Sequence, residues 1–203
     1  MGNTEAVFRT IAEPTPEVLF KDRRSKFFGY AFPLQKGEEV KGIIEQLKTR
    51  HPTAKHFCYA WQLGTENVSY KINDDGEPKN SAGNPIYRQL QSYDLTNTII
   101  VVVRIYGGAK LGVSGLIQAY KTTAQMALEV ASIEEHHIQT RFELKFEYAI
   151  TNEVMRVLKR LTIQIVSQKM DNKCSLIVGI PKSRTDMVLQ EFEKIHQLKV
   201  KPT

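Results

Sequence analysis

The run Thr98-Ile99-Ile100-Val101-Val102-Val103 constrains the fold more than any other part of the chain. Six β-branched residues in succession do not alternate with polar ones, so the segment predicts a strand buried on both faces. Such a strand needs a layer of structure on each side. Arg104-Ile105-Tyr106 continues it into Gly107-Gly108-Ala109-Lys110-Leu111-Gly112-Val113-Ser114-Gly115. Leu116, Ala119, Tyr120, Thr123, Ala127 and Val130 then share one side of a helix expected over 114–130.

Around this unit the pattern is mixed. Val18–Phe20 and Phe27–Phe32 read as strands about a polar turn, Lys21–Lys26. Apolar residues from Val40 to Leu47 fall at helical spacing, and Pro52 ends that helix. Ala54–Leu63 and Asn67–Ile72 read as strands joined at Gly64, and Pro85–Gln91 as a short helix. Between these last two lies a polar loop too long for a minimal hairpin, running through Asp74-Asp75-Gly76-Glu77-Pro78. The polar stretch Ser132–Gln139 marks a candidate junction, which predicts one domain over 1–134 and another over 140–203.

Beyond the junction the elements follow the order βαββα(β). Strands are expected over Phe142–Ile150, Ile163–Lys169, Cys174–Ile180 and Leu198–Lys201. Asn152 and Ser183 are available to cap the two helices. This order predicts a ferredoxin-like sheet covered on one side, and an α+β class for the whole.

Charge is uneven. Residues 138–203 hold 12 Lys+Arg against 7 Asp+Glu, a net of +5, which leaves +1 of the overall +6 for residues 1–137. A basic C-terminal third suits a polyanionic partner, though plain solubility is an equal reading. No apolar run is long enough for a bilayer span, and Met1–Thr10 lacks the pattern of a secretory leader. The expectation is a cytoplasmic protein with no membrane partner and with Cys58 and Cys174 as free thiols.

Four glycines in nine residues, set between a buried strand and a helix, permit positive φ and close approach of another group. The N–H groups opening the helix would attract an anion, with Arg104, Lys110 and Lys121 nearby. A tight packing turn is the alternative. Neither GxGxxG nor GxxxxGK[ST] is present. Asp74, Asp75 and Glu77 suit a Mg²⁺ site, acid–base work, a solvated turn, or an ordering role toward Arg104 or Lys110. His56 and Cys58 share a strand face, where His56 could line the same cleft. Arg23, Arg24 and Lys26 form a basic turn beside Phe27 and Phe28, a pairing that can hold single-stranded nucleic acid.

Four ordered motifs carry a resemblance. They are Ser25-Lys26-Phe27; His56-Phe57-Cys58-Tyr59-Ala60; Asp74-Asp75-Gly76-Glu77-Pro78 with Ser81-Ala82-Gly83 and Pro85-Ile86; and Val102-Val103-Arg104 through Gly107-Gly108, Lys110-Leu111-Gly112, Gly115-Leu116 and Ala119-Tyr120. In these the chain resembles the YigZ/IMPACT family in its bacterial two-domain form. Ser114 and Gln118 depart from the family's usual glycine and basic residue.

The resemblance implies an N-terminal βαβ domain of the type found in a ribosomal protein and in the fourth domain of elongation factor G. It also implies a C-terminal ferredoxin-like domain, and a role in translation regulation through RNA, the ribosome or translation factors. The expected anion or nucleic-acid contacts are Lys26, His56, Arg104, Gly107, Gly108, Lys110, Gly112, Gly115 and Tyr120, with Asp74, Asp75 and Glu77 ordering the cleft. No metal ligand set and no catalytic residue is assigned. A Mg-dependent phosphotransferase or hydrolase and a protein-interaction adaptor stand as alternatives.

Overall fold

A computed structural model describes residues 7–203, so the first part of the Met1–Thr10 segment lies outside the described residues. The fold is mixed α+β with two compact units, one of residues 8–136 and one centred on 137–203.

In the first unit, β2 (Val18–Asp22), β3 (Ser25–Pro33), β4 (His56–Leu63), β5 (Ser69–Asn73) and β6 (Thr98–Ile105) form one sheet in the order β2-β3-β6-β4-β5. The β-branched run is the middle strand, antiparallel to β3 and β4, and Thr98–Arg104 are all buried. Its alternation feeds two cores. Ile100 and Val102 face α2 (Gly83–Ser92) and α3 (Gly112–Glu129), beside Leu90, Ala119, Tyr120 and Ala124. Ile99, Val101 and Val103 face the opposite way, where α1 (Glu39–Arg50) sets Val40 and Leu47 against Tyr30 and Tyr59. Burial on two faces is thus answered by helices on both.

The polar stretch Ser132–Gln139 is not an irregular connection. Ile133–His137 is a strand, β7, paired with β1 (Val7–Ile11), and Phe8 stacks on His136 at 5.5 Å. Its run of Glu and His hides this, since only Ile133 packs toward the core.

The second unit runs β8 (Gln139–Glu147), α4 (Thr151–Arg160), β9 (Gln164–Lys169), β10 (Lys173–Pro181), α5 (Thr185–Glu193) and β11 (Lys199–Pro202). Its sheet order is β11-β8-β10-β9, with every neighbouring pair antiparallel. Leu144, Leu176 and Val178 pack against Val154, Leu158, Val188 and Phe192. Neither Asn152 nor Ser183 stands at a helix N-cap, which Ile150 and Arg184 occupy instead. Asn152 already lies inside α4, and Ser183 lies in a short 3-10 turn before α5. Among the described residues no helix is long and apolar enough to cross a membrane.

Candidate functional site

At one end of the first sheet, Phe27, Arg104 and His56 form a row across β3, β6 and β4. All three side chains lie on the α2/α3 face, one position beyond the core pair Val102 and Cys58. Arg104, expected to meet an external anion, faces inward. It is 5% exposed. Its Nη1 donates to Glu77 Oε1 at 2.6 Å and its Nη2 to Ser25 Oγ at 3.5 Å. The guanidinium lies over the rings of Phe27 and Tyr106 at 5.4 and 5.3 Å. Its charge is therefore met inside the protein, and among the described residues Nε alone of its polar atoms lacks a partner.

Glu77 is the hub. The Tyr120 hydroxyl donates to the same Oε1 at 2.8 Å, so one carboxylate oxygen joins the acidic loop, β6 and α3. The Cys58 sulfur lies 3.0 Å from the Asp74 carbonyl oxygen and 3.3 Å from Tyr120 Oη, and its single proton has those two acceptors. Burial pushes the Cys58 thiol well above its ordinary value, and the nearby carboxylates add to that. The Tyr120 hydroxyl is raised for the same first reason, with Cys58 and Glu77 adding to it.

The other two carboxylates are also spent on backbone. Asp74 Oδ1 accepts the N–H groups of Ala82 and Gly83 at 3.0 and 2.8 Å, and Oδ2 that of Asn80 at 2.9 Å. It thereby caps α2 from outside the helix. Asp75 Oδ2 accepts the Phe57 N–H at 2.6 Å, and the Asp75 carbonyl oxygen lies 2.9 Å from His56 Nδ1. The loop needs left-handed backbone at Asp75, Gly76 and Asn80, which Asp, Gly and Asn tolerate best. Among the described residues no group of three or more His, Cys, Asp and Glu side chains is placed to hold a metal ion.

The glycine-rich turn packs on the β2–β3 hairpin. A Cβ on Gly107 would come 2.1 Å from the Arg24 carbonyl, and the Gly107 N–H donates to Ser25 Oγ at 3.2 Å. Gly108 and Gly112 have φ of +91° and +77°. Gly112 opens α3, two residues before the expected start, and the exposed first turn has no side-chain cap among the described residues.

Lys110 is exposed, and its carbonyl oxygen accepts Arg23 Nη1 at 3.3 Å. Arg23 and Arg24 both adopt positive φ at the hairpin tip, where Asn-Gly would be easier. The structure thus brings Arg23, Arg24, Lys110 and the open end of α3 to one place. Lys26 is exposed on the α1 side of the sheet by strand alternation, away from Arg104. Lys121 lines a groove of ≈ 740 Å³ between α2 and α3, with Arg88 and Gln125.

Residues 23–128, which hold this whole network, match the family model described as the Impact N-terminal domain. The chain belongs to the IMPACT family. An IMPACT family member from Haemophilus influenzae is 31% identical over 183 residues, covering 88% of this chain and 89% of that protein. The Escherichia coli IMPACT family member YigZ is 29% identical over 169 residues, covering 82% and 83%. A crystal structure described as a hypothetical protein superposes with a TM-score of 0.73 at 25% identity, over 96% of each chain.

The IMPACT match spans the hairpin tip, the acidic loop, the glycine-rich turn and α3 together. Ser25 is the residue whose role the sequence hid. Its hydroxyl bridges the hairpin, Arg104 and Gly107, although Ser25 lies 79 and 82 residues from them. The one sequence signal for it is its place in the Ser25-Lys26-Phe27 motif.

Proposed function

We propose that this IMPACT-family protein is a cytoplasmic translation regulator that binds RNA, free or within the ribosome. In this reading, phosphate meets the first turn of α3 and the cations around it. The supporting observation is the uncapped, exposed start of α3 at Gly112–Ser114, with Lys110 two residues before it and Arg23 and Arg24 packed alongside the turn. Arg104, Glu77, Tyr120 and Ser25 act on the inside, holding the turn and the acidic loop in register.

The domain types belong to the same proposal. The first unit is read as the βαβ type of a ribosomal protein and of the fourth domain of elongation factor G. The second is read as ferredoxin-like, supported by its β11-β8-β10-β9 order with a helix in each crossover. Its net charge of +5 adds electrostatic affinity for a polyanion.

Co-sedimentation with ribosomal subunits at low and moderate salt tests the reading. The protein pellets with subunits at low salt, less so as salt rises, and Lys110→Glu weakens the association. Equal recovery in the supernatant at every salt concentration contradicts it.

A further inference from the structure

The second unit's sheet carries helices on one face only, and the other face holds an unusual charge pattern. Register defines that face. Lys145 lies between the core residues Leu144 and Phe146, Ser175 between Cys174 and Leu176, and Val200 packs inward between Lys199 and Lys201. The open row therefore reads Lys199–Lys145–Ser175–Lys169 across all four strands. Three of its four positions are lysines. Neighbouring strands are about 4.8 Å apart, so the row is about 14 Å long.

Lys199 and Lys145 sit directly opposite each other on adjacent strands. Like charges in that relation destabilise a sheet. The adjoining rows relieve this only in part. Lys145 Nζ reaches Glu143 Oε1 at 2.9 Å, and Lys169 Nζ reaches Asp171 Oδ2 at 3.5 Å. Lys173 and Lys199 make no ion pair among the described residues. A concavity of ≈ 340 Å³ at this end of the sheet is lined by Lys145, Lys173, Lys199, Ser175, Gln197 and Glu147 together with the core residues Phe146 and Cys174. A cost in sheet stability and a concentration of lysines on one open face have a common explanation if the face is built to meet an anion.

We propose that this open face, centred on Lys145, Lys173 and Lys199, is a binding surface for the phosphate backbone of single-stranded RNA. The inference rests on the RNA reading above and assigns it a second surface, separate from the turn before α3. Flat geometry and ammonium donors suit a backbone track. Each lysine acts as a point charge on one phosphate, without base readout.

Fluorescence anisotropy of the full chain with labelled oligouridine tests this as a function of salt. Three phosphate contacts contribute about 2 to the log–log salt slope, at about 0.7 each for a single strand. K145A/K173A/K199A, checked for native circular dichroism, is expected to lose about that much slope. Lys199→Glu, which sets a carboxylate opposite Lys145, is expected to raise Tm while weakening RNA binding, an opposition that a purely structural lysine does not produce.

Wild-type slope and affinity in the folded triple variant overturn the surface and leave the RNA reading standing. A fall in both Tm and affinity for Lys199→Glu also overturns it, by assigning Lys199 a structural role. No affinity of the wild-type chain for RNA at low salt removes the RNA reading, and this surface with it.

Discussion

Arg104 Nη1 lies 2.6 Å from Glu77 Oε1, and both side chains are almost fully buried. The contact joins the central strand to a loop 27 residues earlier, and Tyr120 binds the same oxygen from α3. A buried pair of this kind adds little net stability beyond an apolar replacement, but losing one partner strands a charge. Its value here is positional, since it fixes the loop and α3 relative to the sheet end.

Glu77→Gln and Glu77→Ala are therefore expected to destabilise the first unit, Ala by about 3–5 kcal/mol, because Arg104 is left buried and unpaired. Urea denaturation measures this. The double variant Glu77→Leu/Arg104→Met is expected to recover part of the loss, since it removes both charges together.

Gly107→Ala is expected to cost about 2–3 kcal/mol, because its Cβ meets the Arg24 and Ser25 backbone rather than a flexible side chain. Gly108→Ala is expected to cost about 1–2 kcal/mol from positive φ alone, since a Cβ there meets open space. Thermal unfolding of the two variants side by side checks the order.

Asp74→Ala removes the acceptor for three N–H groups at the start of α2 and is expected to cost about 1–3 kcal/mol. Asp74→Asn keeps one acceptor oxygen and is expected to cost less. Chemical denaturation distinguishes the two.

The Cys58 thiol has its folded pKa raised above its ordinary value of 9.0, chiefly by burial. Above that pH the unfolded chain loses the proton and the folded chain keeps it, so stability falls as pH rises. Tyr120 acts in the same direction above its ordinary value of 10.0. Denaturant midpoints should decline from about pH 9 upward, and Cys58→Ala should flatten the first part of that decline. At neutral pH both buried cysteines should react slowly with a thiol reagent until the chain unfolds.

Much of the fold was legible because local pattern and tertiary role agreed. The β-branched run at Thr98–Val103 demanded two covering layers, and α1 on one side with α2 and α3 on the other supply them. The glycine-rich turn was visible as composition, and its glycines meet real demands at Gly107, Gly108 and Gly112. What stayed hidden was non-local. An ordering role of the acidic loop toward Arg104 was one of the open readings, and the Glu77–Arg104 pair fulfils it, but nothing in the sequence shows that the pair is buried, so the Arg104 charge also read as available. The packing of Gly107 on Arg24 joins two basic turns that looked separate. β7 was obscured because Glu134, Glu135, His136 and His137 are exposed and carry no alternation. Asn152 and Ser183 miss the N-cap positions because the helices start at Thr151 and Thr185, after Ile150 and Arg184.

The function proposed for this protein stands on RNA phosphate meeting the first turn of α3, with Lys110 and the Arg23-Arg24 tip. Equilibrium binding to RNA across a salt series, for the wild-type chain and for Lys110→Glu, decides it. The expected result is affinity that falls steeply with salt, and a slope smaller by about 1 in a variant of unchanged stability. Wild-type affinity and slope in folded Lys110→Glu would contradict it.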